Sequence, residues 1–78
     1  MHHLYLKDDH VHSFKYVSAC LMEVLKHNPL QAEQCCLIAH NVGKVHVKRG
    51  DYLDMYEYLK LLKGRGLKVE IESEEYGT

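Results

Sequence analysis

The chain has no long apolar run, no excess of either charge and no even set of cysteines, and each absence removes a class of function. None of its 78 residues lies in a stretch approaching the ~20 apolar side chains that cross a bilayer, so no membrane span is expected. The first twenty positions lack an apolar core and carry Asp8 and Asp9 early, so no secretory signal is expected. Ten Lys and Arg against eleven Asp and Glu leave a formal net charge of -1. The two signs are interleaved, whereas a nucleic-acid binder would show a basic stripe, so no nucleic acid is expected as a partner. The one cationic run, Lys44-Val45-His46-Val47-Lys48-Arg49, alternates with valine and is expected to be the exposed face of a strand. Cys20, Cys35 and Cys36 are odd in number and two are adjacent, which suits reduced, buried thiols in a cytoplasmic protein better than a disulfide framework. There is no glycine-rich phosphate loop; the glycines fall where helices end.

What remains is a globular composition, 46% hydrophobic and 27% charged, at a length that makes one domain over residues 1–78 with its core at about 2–72. Leu4 and Leu6 alternate with polar residues and predict a strand over 2–7. The polar segment Asp8-Asp9-His10-Val11-His12 predicts a loop, and Ser13 an N-cap. Phe14, Val17, Leu21, Val24 and Leu25 then form the stripe of an amphipathic helix ending near His27. Asn28-Pro29 restarts a helix that runs to about Asn41, and its apolar centre, Cys35-Cys36-Leu37-Ile38-Ala39, predicts the most buried element of the chain. Gly43 stops it, and a strand over Lys44–Lys48 should turn Val45 and Val47 inward. Gly50-Asp51 opens a third helix with the face Tyr52, Met55, Tyr56, Leu59 and Leu62, ended by Gly64 and Gly66. Leu67, Val69 and Ile71 mark a last strand, and the acidic tail after Ser73 is expected to fray. The order β-α-α-β-α-β predicts an α+β two-layer sandwich, a three-stranded antiparallel sheet with three helices on one face.

Three constellations could carry chemistry. The Asp8-Asp9 pair can attract a cation, ligate a metal or be a solvated loop. His2, His3, His10 and His12 offer imidazoles for a borderline metal, and Cys36 and His40 stand one helical turn apart, yet neither group completes a zinc spacing. A Cys–His nucleophile needs an exposed, activated thiol, and Cys36 lies in the most apolar helix, so no catalytic site, metal or cofactor is expected. On its own, His40 is expected to be a partly buried, satisfied histidine.

Taken together, Leu4-Tyr5-Leu6-Lys7-Asp8-Asp9, Ser13-Phe14-Lys15-Tyr16-Val17, Gln31-Ala32-Glu33-Gln34, Ile38-Ala39-His40-Asn41-Val42-Gly43-Lys44 and Leu67-Lys68-Val69-Glu70-Ile71-Glu72 resemble the ClpS family, the adaptors of the bacterial N-end rule. The likeness covers about residues 2–72, is ungapped from Asp8 to Lys44, and its Gly-Arg-Gly turn is similar to that of compact, Bacteroidetes-type members. It implies a monomeric adaptor, not an enzyme, which binds N-degron peptides and docks on a Clp-type AAA+ unfoldase of the ClpA or ClpC class. The family's Asn-Asp pair and helix-ending His, which hold the target's α-amino group, fall on Asp8, Asp9 and His40. Its pocket for the first side chain falls on Leu6, Phe14, Val17, Cys36 and Ala39, with His12 at the rim.

Three departures from the family pattern stand out. Asp8 replaces the usual Asn, adding a charge and removing an amide donor. Phe14 stands where many members have a Met that gates the pocket. The family's flexible N-terminal extension hands cargo to the unfoldase, and here the first strand begins almost at Met1, so the chain is expected to dock yet deliver poorly. Two other functions compete: a ClpS-like regulator that binds the unfoldase without reading degrons, and a small metal-binding protein built on the histidines.

Overall fold

The computed structural model describes residues 1–73; the expectation for the acidic tail concerns residues outside this range. Six elements follow in the predicted order: β1 (His2–Lys7), α1 (Phe14–Leu25), α2 (Pro29–Val42), β2 (Lys44–Gly50), α3 (Tyr52–Gly64) and β3 (Val69–Ser73). The strands form one antiparallel sheet of order β2-β1-β3. Leu4 and Leu6 of the central strand turn their fully buried side chains to the helices, against Leu21, Met55 and Leu62. The fold is α+β, as predicted.

Each helix starts where a side-chain cap is available. Ser13, Asn28 and Asp51 have extended backbone and accept from the amides of Tyr16, Gln31 and Asp54, supplying partners to N–H groups that the helix itself leaves unbonded. The ends are equally local. Helix α1 stops at Leu25, two residues earlier than predicted, because Lys26 takes a left-handed conformation (φ 62°) and returns its N–H to Leu21 O. Gly43 and Gly66 follow α2 and α3 with positive φ, 108° and 87°.

Several burial expectations need correction. Helix α2 is not the most buried element: Leu37 and Ile38 face solvent, and it buries only the small residues Ala32, Cys35, Cys36 and Ala39. A continuous apolar run is spread around a helix, about 100° per residue, so a two-layer fold covers only part of it. Phe14, at the start of α1, is 42% exposed, while Cys20 joins Val17, Leu21 and Leu25 in the core and Val24 is half-buried. In α3 the inward face is Met55, Tyr58, Leu59 and Leu62; Tyr52 and Tyr56 are exposed and stack on each other with centroids 5.7 Å apart.

Strand β2 carries a bulge. Leu4 pairs with Lys48 and Tyr5 with His46, so Val47 is the extra residue. Val47 is buried and Val45 half-buried, but the shift puts Lys48 opposite inward-facing Leu4, with its amine 5.4 Å from the centre of the Tyr58 ring. The cationic run is therefore not one exposed face. Buried His27 closes this edge by donating from Nε2 to Val47 O at 3.0 Å.

Candidate functional site

The loop leaving β1 is anchored where it starts by two backbone bonds. Lys7 N donates to Lys68 O (2.8 Å) and Asp8 N to Gly43 O (2.9 Å), which ties the start of the loop to the end of α2. Asp8 is thereby set beside His40 in the last turn of α2, Oδ1 to Nδ1 at 3.5 Å, and its other oxygen lies 3.3 Å from His10 Nε2. At 3.5 Å the Asp8–His40 contact is too long for a strong hydrogen bond. The Asp8 side chain is 22% exposed and that of His40 55% exposed. His40 is thus not the partly buried, satisfied histidine expected from the helix alone; its ring meets the edge of Phe14 with centroids 5.5 Å apart.

Asp9 has a different job. Its side chain is only 6% exposed; Oδ1 accepts from Val11 N (2.7 Å) and His12 N (2.9 Å), and Oδ2 from His12 Nδ1 (2.7 Å). Burial by itself would raise the Asp9 pKa, but the two backbone amides and the His12 ring outweigh it and hold the carboxyl below its usual value. The carboxylate shapes the loop and retains one accepting direction on Oδ2. His12 in turn stacks on Tyr16, centroids 4.8 Å apart, and the Tyr16 hydroxyl donates to Arg65 O at 2.6 Å. Gly66 fits against the same imidazole, since a Cβ there would sit 3.1 Å from it.

These contacts bring one pocket together. Leu6, Val17, Cys36 and Ala39 supply its apolar lining, Phe14 and His12 stand beside them, and Lys7, Asp8 and Asp9 complete it. All six residues expected to form a hydrophobic pocket line this one, with both aspartates; His40 touches it through Asp8 and Phe14. The free volume is about 10 Å³, room for a single water. On the far side of Phe14 lies an open groove of about 280 Å³ between α1 and α2, and Phe14 and Cys36 border both spaces. Burial, then the neighbouring Cys35 and Glu33, push the Cys36 thiol up to about 11, which makes it a poor nucleophile.

Sequence reasoning missed Lys7, His10, Tyr16 and Gly66 as parts of this region. The spacing of Asp9 and His12, with an acceptor side chain two and three residues before free amides, is the signal of a side-chain turn and was legible. The histidines considered as metal ligands disperse: His3 pairs with His46 (2.9 Å), His2 meets Tyr52, and His10 and His12 turn to different aspartates. Among the described residues no three His, Cys, Asp or Glu side chains are grouped to hold a metal ion. No helix among them is long and apolar enough to cross a membrane.

A family model described as ATP-dependent Clp protease adaptor protein ClpS matches residues 1–70 of the 78. A comparison with curated proteins returns no match.

Proposed function

The chain belongs to the ClpS family of Clp protease adaptors, and from that premise we propose that it grips proteins by a free N-terminal amine and a bulky hydrophobic first side chain and passes them, in the cytosol, to a Clp-type AAA+ unfoldase. The observation that carries this reading is the meeting of Asp8 and His40, 3.5 Å apart, at the mouth of a pocket with an apolar lining. An α-ammonium has three donors and an ordinary pKa near 8, so it needs several acceptors and gains from a carboxylate. Lodged beside Asp8 and His40 it would donate to the Asp8 carboxylate and to a neutral imidazole nitrogen, and the remaining direction on Asp9 Oδ2 would take a third bond. Asp8 adds a full charge where the family's usual residue is neutral, which strengthens attraction to the ammonium.

The first side chain would enter between Leu6, Val17, Cys36 and Ala39. A space of about 10 Å³ does not admit it, so Phe14 must move. The groove on its other flank gives the ring somewhere to go, and its exposed position at the first turn of α1 leaves it free to turn. Burying a Leu or Phe side chain contributes about 1.5–3 kcal/mol, which together with the amine contacts supports micromolar affinity.

The test is fluorescence polarisation with peptides that differ only in the first residue and in acetylation. Free N-terminal Leu, Phe, Tyr and Trp should bind, and acetylation should weaken binding by at least about tenfold, because it removes the charge and leaves acceptors unpaired. His40→Ala should weaken the free peptides while leaving the acetylated ones unchanged. Equal affinity for free and acetylated peptides overturns the reading. An unfoldase pull-down that succeeds where every peptide fails would instead make the chain a regulator without degron reading.

A further inference from the structure

At the opposite end of the α1–α2 hairpin lies a second, open cleft of about 570 Å³. Lys26, His27, Gln31, His46, Lys48 and Arg49 border it, and no carboxylate does. Elsewhere among the described residues four cations sit on acids, Lys7 and Lys44 on Glu70, Lys44 also on Glu72, Lys60 on Glu57 and Arg65 on Glu23, while Lys15, Lys63 and Lys68 do not. Among the described residues Lys26, Lys48 and Arg49 have no carboxylate partner. Three like charges gathered without a counter-charge raise the local potential, which is unfavourable unless an anion relieves it. Two irregularities of the fold accompany this arrangement. The left-handed Lys26 ends α1 at the cleft, and consecutive Lys48 and Arg49, which follow the bulge at Val47, both border it. His27, donating to Val47 O, pins the two together.

We infer that this cleft is a docking surface for an acidic segment of a partner protein, separate from the pocket at the other end of the hairpin. Its shape and lining choose this occupant. The cations stand on two elements, Lys26 after α1 and Lys48 and Arg49 on β2, around an open space, which suits carboxylates spread along a chain and not one compact phosphate. No Phe, Tyr or Trp lines the cleft, so there is no large platform on which nucleic-acid bases would stack, and the whole chain carries net charge -1, which disfavours a long polyanion. The inference does not depend on the amine-binding reading.

The experiment is an NMR titration of the ¹⁵N-labelled chain with hexaglutamate peptide, acetylated and amidated so that it offers no free amine. Amide shifts should concentrate at Lys26, Gln31 and residues 46–49 and shrink as salt is raised. Replacing Lys26, Lys48 and Arg49 together by Gln should weaken hexaglutamate at least about tenfold, the sum of three modest pairs, while a free N-terminal Leu peptide shifts the other end unchanged. Should the triple variant lose its dispersed spectrum, Arg49→Gln alone and the salt series on the unmutated chain decide the question in its place. Shifts centred elsewhere, equal binding of hexaglutamine, or affinity untouched by salt and substitution overturns the proposal. Tighter saturation of these residues by inorganic phosphate or by a short oligonucleotide overturns the assigned occupant.

Discussion

At one end of the α1–α2 hairpin, Asp8 and Asp9 border a pocket that their own loop and Phe14 keep almost shut; at the other, roughly 18 Å away along the twelve residues of α1, Lys26, Lys48 and Arg49 border a cleft that stands open. The contrast lies in how the charges are used. Asp9 accepts three hydrogen bonds from its own loop and is almost wholly covered, so much of its charge is committed to holding structure. The three cations hold nothing together by ion pairing. A site whose charge is already bonded is shaped before a ligand arrives and discriminates by geometry; one whose charge is free attracts first and discriminates little. Substitutions of the charged residues at the two ends should therefore differ in kind, that of Asp9 costing stability and those of Lys26, Lys48 and Arg49 costing association alone.

The largest expected effect tests that directly. Asp9→Ala removes the acceptor of two loop amides and the partner of His12, and should lower unfolding free energy by about 2–3 kcal/mol in urea titration, with amine binding lost. Lys26→Gln should change stability by less than about 0.5 kcal/mol. Asp9→Asn keeps an acceptor for the amides but not the charge, so it should recover most of the stability and little of the binding. Because the Asp9 pKa is depressed in the folded state, its contribution is present above the ordinary carboxylate value of about 4 and lost as pH falls through the folded value. If Asp9→Ala is as stable as Lys26→Gln, the acidic end is not self-bonded in the way the geometry implies.

The buried histidine at the basic end comes next. His27 is neutral and covered: burial first, then the nearby Lys48 charge, lower its pKa against the opposing bond to Val47 O, and its Nδ1 has no partner. Above about pH 6.5 neither state binds the proton; below it the unfolded chain does and the folded chain resists, so stability falls as pH drops from 6.5 toward the folded value. Lys26, Arg49 and His46 border the same cleft, and of the charges there Lys48 is the one that opposes protonation of this ring. His27→Gln should cost about 1–2 kcal/mol at pH 7.5 through the lost bond, and flatten the decline in thermal midpoint between pH 6.5 and 5. An unchanged decline would mean that other groups carry it.

How much of this was legible beforehand differs between the two ends. Caps and glycines announced every helix boundary but the end of α1, since Ser13, Asn28, Asp51, Gly43 and Gly66 act on their own neighbours, whereas left-handed Lys26 gave no such signal. The pocket residues were legible through family likeness, which carries tertiary proximity that spacing cannot. The basic cleft was not legible at all. It lies beside the bulge at Val47, which depends on pairing with β1 some forty residues away, and it gathers Lys26 and Arg49 from elements that no local pattern connects. Exposure was misjudged for the same reason: Leu37, Ile38, Tyr52 and Tyr56 are apolar at helical spacing, but which side of a helix is covered is decided by its neighbours.

Gly66 links the pocket to the far turn. Its φ of 87° and the 3.1 Å approach of the His12 ring both disfavour a side chain. Gly66→Ala should cost about 1–2 kcal/mol for the left-handed backbone alone, and by pushing His12 off Asp9 it should also reduce amine-peptide affinity. Loss of stability with unchanged affinity would show that the His12–Asp9 bond does not hold the pocket.

A modest effect on stability, and the sharpest on the closed-versus-open contrast, is expected from Phe14→Ala. A fully buried ring would cost ~3–5 kcal/mol on truncation. Phe14 is 42% exposed and stands over a pocket with room for one water, so a loss of about 1 kcal/mol is expected, mainly the contact with His40 and the pocket wall. What changes is access. With the ring gone the pocket joins the neighbouring groove, and Cys36, which borders both, becomes reachable. In the unmutated chain its thiol, at about 11, is only about 0.1% ionised at pH 8, and it is also covered, so alkylation should be slow. In Phe14→Ala water reaches the sulfur, both obstacles weaken, and alkylation of Cys36 measured by peptide mass spectrometry should quicken at least about tenfold while Cys20 stays protected. Peptides beginning with Ile or Val should gain relative to Leu, since a shortened wall no longer rejects a branch at Cβ. A Leu peptide added first should slow the alkylation again, because its side chain fills the space over the sulfur. If Cys36 reacts no faster in the folded variant and the Leu preference is unchanged, Phe14 is only a packing residue, and the pocket must open through another wall.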